Sequence, residues 1–160
     1  SFTVTLVRRI VFAVIAVALI MISIKFFPGT KSIDAEAFCK AAEAAGYTTT
    51  DTTEKLRQEW RVGSMLTKAV SIDNGTMRMD FCVMDTVDSS ESLYNGMTLP
   101  ITDGEITDDS GIIHEICSAE TQTNYVAKIR IRDTIIYVSA LIEYKDDVVE
   151  LLNAIDYWKE

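Results

Sequence analysis

Hydrophobic positions divide the chain into one long apolar run and a longer stretch in which apolar and polar residues alternate at helix or strand spacing. The run Ile10–Ile24 contains no charged residue and is bounded by a pair of arginines and by Lys25. With its apolar flanks it reaches the roughly 20 residues that a helix needs to cross a hydrocarbon core, with the amine of Lys25 extended toward the head groups. The pattern predicts a transmembrane helix within residues 1–27 that contacts the lipid bilayer from Ile10 to Phe27.

The same run has the basic start and apolar core of a cleaved signal peptide. Cleavage requires small residues near the end of the core, whereas residues 20–27 are mostly bulky, so we expect a retained signal anchor. Arg8 and Arg9 directly precede the core, and the positive-inside rule places them in the cytoplasm. The predicted topology is a single-pass cell membrane protein with a cytoplasmic N-terminus and an extracytoplasmic C-terminal domain.

The pattern after the run begins with a helix. Asp34 is a predicted N-cap, Ile33 and Phe38 form a hydrophobic staple across it, and Gly46 supplies the left-handed stop. Residues 47–53 are rich in β-branched side chains and predict a strand, followed by an ambiguous stretch with one helical turn.

Further along the chain, apolar segments 66–72 and 77–84 flank Asp73-Asn74-Gly75-Thr76, which predicts a β-hairpin. Other predicted elements are a helix capped by Asp85 or Thr86, an acidic loop at 98–111, strands at 112–119, 125–132 and 134–144 with a turn at Asp133-Thr134, and a helix at 146–157. The expected fold is one antiparallel α+β domain over residues 33–160, joined to the anchor by linker 28–32. Its order is α-βββ-α-βββ-α, with the helices packed on one sheet face.

The net charge of the chain after the apolar run disfavours one class of function, nucleic-acid binding. Residues 1–25 hold three basic and no acidic residues, so the remaining chain has 24 acidic against 12 basic residues, a formal charge of −12. Such a domain is a poor ligand for nucleic acid, and we expect none to bind.

Catalytic and metal motifs are weak. The acidic residues Asp103, Glu105 and Asp109 alternate as in the start of a calcium loop, but no glycine follows at the sixth position and His114 replaces the closing glutamate. His114 is the only histidine, and no nucleophile motif accompanies it. We therefore expect no catalytic residue, no metal site and no cofactor.

Basic side chains gather on one side of the predicted sheet. Period-two alternation places Lys128, Arg130 and Arg132 opposite the apolar residues of their strand, and Arg78 extends the same side on a neighbouring hairpin strand. A solvated face with cross-strand ion pairs is one interpretation. The other is a partner-binding face formed by these four residues.

The three cysteines are too few for a disulfide framework. Cys82 and Cys117 lie on predicted strands and would bridge if those strands were neighbours with suitable Cα separation. Buried free thiols are the alternative.

Segments 35–38, 44–47, 81–85, 131–138 and 144–146 resemble small extracytoplasmic α+β domains of Gram-positive bacteria, often lipoproteins. The resemblance covers most of residues 33–157, and its motifs are caps, turns and core positions. That family has no established activity, so it implies an envelope location and a fold. The lipid-accepting cysteine of the lipoproteins is missing, and the membrane helix would take over the anchoring.

Three classes of function fit these observations. The leading hypothesis is a non-enzymatic, membrane-anchored extracytoplasmic binding or accessory module that engages a protein of the bacterial cell envelope or a ligand. The alternative is a structural subunit of an envelope assembly or a pilin-like filament, because an apolar N-terminal helix precedes an α+β head. A hydrolase of unknown type is the third.

Overall fold

The computed structural model describes residues 31–101 and 104–158. The predicted anchor, residues 1–27, and most of the linker, 28–32, lie outside the described residues. Within the described ranges, no helix has the length and apolar character required to cross a membrane.

The described part of the chain forms seven strands and four helices. The helices are α1 (Ala35–Ala44), α2 (Thr53–Glu59), α3 (Val87–Gly96) and α4 (Lys145–Ala154), and the strands are β1 (Thr50–Asp51), β2 (Leu66–Asp73), β3 (Met77–Met84), β4 (Glu105–Ser110), β5 (His114–Glu120), β6 (Asn124–Ile131) and β7 (Thr134–Leu141). One antiparallel sheet contains all seven strands in the order β1-β2-β3-β7-β6-β5-β4. The predicted antiparallel α+β class is confirmed.

Local sequence accounts for the turns and caps. Gly75 has a φ of 84°, and the side-chain oxygen of Asn74 accepts hydrogen bonds from the amides of Thr76 and Met77 at 3.1 and 2.9 Å, which closes the predicted hairpin. Asp34 accepts from the Ala37 amide at 2.8 Å, as an N-cap does, and Gly46 follows α1 with a φ of 90°.

Helices cover both faces of the sheet, so the prediction that they pack on one face is wrong. Helices α1 and α4 pack on the face formed by Phe81, Ile129, Ile136 and their neighbours, which we call the apolar face. Helices α2 and α3 pack on the opposite face, which we call the polar face. A smaller apolar cluster there, which includes Leu56, Cys82, Tyr94 and Ile135, holds these two helices to the sheet.

The element order differs from the predicted one in two places. The first predicted strand is reduced to Thr50–Asp51, and the ambiguous stretch after it forms α2. The predicted acidic loop contains β4, which pairs with β5 from Glu105 to Ser110. The β6–β7 turn also lies one residue earlier than predicted, since Ile131 pairs with Thr134 across it.

Candidate functional site

A row of polar side chains crosses the polar face from one sheet edge to the other. Cross-strand pairing aligns one residue from each strand in this row, namely Thr50, Ser71, Asp80, Tyr137, Lys128, Cys117 and Asp108. Helices α2 and α3 lie over it. The chemistry of the polar face therefore depends on which of these side chains are covered by the helices and which remain accessible.

Lys128 lies under α3 and binds the end of that helix. Its amine donates to the carbonyl oxygens of Tyr94 at 2.8 Å and Met97 at 3.0 Å, and lies 4.3 Å from the centroid of the Tyr94 ring. These carbonyls end the helix, where a cation interacts favourably with the helix dipole. The structure places Lys128 on the predicted sheet side but under a helix, as a support for α3.

Arg130 is buried inside the domain, with 2% of the residue exposed. Its guanidinium donates to Glu115 at 2.6 Å and to the carbonyl oxygens of Arg132 at 2.9 Å and Ile112 at 3.0 Å. Glu91 of α3 lies 3.7 Å from the same guanidinium. A buried cation with this many partners holds the β5, β6 and α3 segments together.

Arg132 does not share a strand face with Lys128 and Arg130. It lies in the β6–β7 turn with a φ of 53°, and it is exposed. The four residues of the predicted basic face do not form one continuous surface, because α3 covers Lys128 and Arg130, Arg132 lies in the β6–β7 turn, and Arg78 lines a cleft.

Arg78 is the member that lines an open cleft. We call this the interhelical cleft: it lies between α2 and α3 and encloses about 440 Å³. Arg78 and Tyr137 form its floor, Glu59 and Trp60 one wall, and Ser92, Leu93 and Met97 the other. Trp60 meets Tyr137 edge to face, with ring centroids 6.5 Å apart. Its size and its mixture of aromatic, aliphatic and charged groups are typical of ligand-binding pockets.

A chain of hydrogen bonds fixes Arg78 in the floor. Its Nε donates to Asp80 at 2.9 Å, and its Nη2 donates to Glu59 at 3.3 Å. Asp80 in turn accepts from the Ser71 hydroxyl at 2.6 Å, and Ser71 lies 2.7 Å from the hydroxyl of Thr52. Asp80 lies beneath the guanidinium, whereas Glu59 is 42% exposed at the rim.

The electrostatics of this network follow from its burial. Burial raises the pKa of Asp80 above its ordinary value, although the hydrogen bond from Ser71 and the charge of Arg78 act in the opposite direction. Burial alone would lower the pKa of Arg78, but Asp80 and then Glu59 outweigh it and raise the pKa. Burial also raises the pKa of the Tyr137 hydroxyl. The cleft floor therefore presents a permanently charged guanidinium beside a neutral phenol.

A second cleft of about 370 Å³ lies on the apolar face, at the β4 edge of the sheet and next to the start of α4. Its lining includes Glu105 and Asp109 of β4, together with Tyr125, Lys145 and Trp158. The amine of Lys145 donates to Glu120 at 2.6 Å and lies 5.4 Å from the Tyr125 ring centroid. Among the described residues, no three His, Cys, Asp or Glu side chains are arranged to hold a metal ion.

Cys82 and Cys117 do not meet the condition set for a disulfide. Both are free thiols, as is Cys39. Cys82 lies on β3 and Cys117 on β5, with β7 and β6 between them, so about three interstrand spacings, or ~14 Å, separate the strands. A disulfide bridges Cα atoms at most about 7 Å apart.

His114 has a structural position. It is 6% exposed, and its Nε2 lies 3.0 Å from the carbonyl oxygen of Tyr157. This contact joins β5 to the segment after α4.

Comparison with protein-family models, with curated protein sequences and with solved structures gives no match for this chain. The resemblance to Gram-positive envelope domains stays a prediction.

Sequence reasoning missed Trp60 and Glu59 as site residues, along with the α3 wall. One signal was available, because Trp60 is a large aromatic residue at the end of a short helical segment. Trp60 lies across the cleft from Leu93 and Met97 only because of tertiary packing, which no local sequence pattern encodes.

Proposed function

We propose that this chain is a non-enzymatic, membrane-anchored extracytoplasmic binding module that engages an envelope protein through the interhelical cleft. The observation that carries the proposal is the open cleft with Arg78 in its floor and Trp60, Leu93 and Met97 in its walls. Aromatic and arginine side chains dominate the binding energy of protein interfaces. The tether comes from the apolar run at Ile10–Ile24.

The cleft favours one kind of partner group. An apolar side chain of the partner would pack against Trp60 and Leu93, and an adjacent carboxylate would reach Arg78. The contact of Arg78 with Glu59 is long, at 3.3 Å, and Glu59 is 42% exposed, so Glu59 can give way to an incoming acid. The Arg78–Asp80 contact would remain in place and orient the guanidinium.

Binding is better supported than hydrolysis. The two carboxylates near Arg78 are both tied to its guanidinium, and Asp80 is 1% exposed beneath it. A general acid or base must come within hydrogen-bond reach of the substrate. Asp80 lacks that access from the cleft, and Glu59, which has it, is the only carboxylate among the described residues that line the cleft.

The second class, a subunit of an envelope assembly or pilin-like filament, has one observation in its favour. Strand β4 is an edge of the sheet and largely exposed on both sides. An exposed edge can pair with a strand of a neighbouring subunit, although its acidic residues, Glu105, Asp108 and Asp109, would disfavour pairing with a second copy of β4 itself. This class predicts an oligomer in mild detergent, and a monomer would contradict it.

The test is recovery of a partner from membranes with the intact chain. Trp60→Ala removes a wall of the interhelical cleft, and Trp158→Ala removes the tryptophan of the second cleft as a matched control. Loss of a central tryptophan costs about 2 kcal/mol or more of binding, roughly a 30-fold weaker complex. We expect recovery of one stoichiometric partner to fall with Trp60→Ala and to persist with Trp158→Ala. The reverse pattern, with both variants folded, would reject this cleft.

A further inference from the structure

Large apolar side chains are exposed at one end of the sheet. Ile112 and Ile113, at the tip of the β4–β5 hairpin, are 92% and 37% exposed, and Val87 at the start of α3 is 45% exposed. Ile112 is so exposed because nothing within the described part of the domain packs against its side chain. We call these three residues the apolar tip.

Hydrogen bonds hold the apolar tip together. The Ile113 carbonyl accepts from the amide of Arg132 at 3.3 Å, which ties the hairpin to the β6–β7 turn. The hydroxyl of Ser90 lies 2.5 Å from the Arg132 carbonyl and 2.7 Å from the Val87 carbonyl, which ties the turn to α3. The three apolar side chains therefore project from one connected end of the domain.

The chain enters the domain at this same end. The Ile33 amide donates to the Tyr157 hydroxyl at 3.2 Å, and that hydroxyl lies 2.6 Å from the hydroxyl of Thr134, the first residue of β7 after the turn. Phe27, the end of the predicted bilayer contact, precedes Ile33 by six residues. Six residues span at most about 22 Å. The tether therefore keeps this end of the domain within about that distance of the membrane.

We propose that the apolar tip rests on the lipid bilayer, with Ile112 inserted at the boundary between head groups and acyl chains. The inference rests on the membrane tether of the proposed function and adds the orientation of the domain. Removal of exposed isoleucine surface from water favours this contact. Arg132 and the half-buried Asp133 give the turn mixed charge, so the contact depends on apolar insertion and not on anionic lipid.

The orientation has a consequence for the interhelical cleft. Helix α3 starts at the apolar tip with Val87, whereas Ser92, Leu93 and Gly96 in its second half, and Met97 directly after it, line the cleft. The cleft then lies on the part of the domain remote from the bilayer, where an envelope protein can reach it.

The experiment uses the full chain in phosphatidylcholine vesicles whose acyl chains carry bromine, a short-range quencher of tryptophan emission. Ile112→Trp places a probe at the apolar tip. Leu141→Trp is the matched control, because Leu141 is 40% exposed at the opposite end of β7. The wild-type chain, with Trp60 and Trp158, gives the baseline. We expect the added emission of Ile112→Trp to fall roughly twofold with brominated lipid, as for a group at the acyl boundary, and that of Leu141→Trp to stay unchanged.

Vesicle flotation separates the two ideas under test. A wild-type chain that does not float with the vesicles would overturn the tether and this inference together. A chain that floats, but whose Ile112→Trp emission is unquenched or is quenched no more than that of Leu141→Trp, would overturn the orientation and leave the tether standing.

Discussion

The two faces of the sheet are covered by two helices each, yet they are held in different ways. On the apolar face, Phe81 stacks on Phe38 with centroids 5.0 Å apart and meets Tyr157 edge to face at 6.2 Å. On the polar face the apolar cluster is smaller, and Lys128 and Arg130 add hydrogen bonds and an ion pair to α3. Apolar burial is non-directional, whereas hydrogen bonds fix angles and positions. The apolar face therefore supplies most of the stability, and the polar face sets the helix positions that leave the interhelical cleft open.

The largest expected effect tests the apolar face. Phe81→Ala removes a ring with no exposed surface from the centre of the larger core. We expect the free energy of unfolding to fall by about 3–5 kcal/mol, because the packed surroundings cannot fill the cavity. Urea unfolding measures it. Ile106→Ala, at a side chain 57% exposed on β4, is the control and should change stability by less than about 0.5 kcal/mol. Equal losses of unfolding free energy from the two substitutions would contradict the claim that the apolar face supplies most of the stability.

A second prediction concerns Arg130 on the polar face. Arg130→Met leaves the Glu115 carboxylate, 16% exposed, without the guanidinium that contacts it at 2.6 Å. We expect a loss of about 3 kcal/mol in the free energy of unfolding, again from urea titration. The double variant Arg130→Met with Glu115→Leu should recover part of that loss, because it also removes the stranded charge. Additive losses would show that the ion pair is not what makes the single substitution costly.

Lys128 should have a smaller and more local effect. Lys128→Met keeps an apolar stem near the Tyr94 ring but removes the hydrogen bonds to the carbonyls of Tyr94 and Met97. We expect a loss of about 1–2 kcal/mol and faster amide exchange in the second half of α3, with α1 unchanged. Hydrogen exchange followed by mass spectrometry resolves the two helices. Uniform loss of protection in both would contradict a local role.

The smallest effect is a pH dependence at Asp80. Burial raises the pKa of this carboxyl in the folded state above its ordinary value of 3.8, so between the unfolded and folded pKa values the folded state binds more protons. Its contribution to stability is thus present at low pH and is lost as the pH rises through that window. Asp80→Asn lacks this titration, so its stability relative to wild type should improve as the pH rises from about 4 through the raised pKa of Asp80 in the folded state.

Thermal or urea unfolding of both proteins across that range gives the difference. A relative stability of Asp80→Asn that declines with rising pH would mean that Arg78 and Ser71 dominate over burial and lower the pKa.

Local sequence patterns predicted the features that local physics decides. Asp34, Asn74-Gly75 and the alternation of Tyr125, Ala127 and Ile129 toward the core are where the patterns placed them. Caps and tight turns involve residues three or four positions apart, so the sequence contains the whole interaction.

The features that the sequence did not predict depend on distant partners. Strand β4 is exposed along most of its length and carries three acidic residues, so its identity as a strand comes from pairing with β5 and not from an apolar pattern. Lys128 and Arg130 have the alternation of a solvated face, and the carbonyls and carboxylates contributed by α3, β5 and the neighbouring turns make their burial tolerable. The interhelical cleft likewise needs α2 and α3 to be brought together on one face.

Photo-cross-linking from the interhelical cleft tests the binding proposal most directly. A benzophenone amino acid replaces Ser92, an exposed residue of the cleft wall, or Glu43, an exposed residue of α1 on the opposite side of the sheet. With the intact chain in its native membranes, irradiation should give one discrete protein adduct from position 92 and none from position 43. An adduct from position 43 alone, or the same adduct from both positions, would contradict the assignment of the cleft as the binding surface.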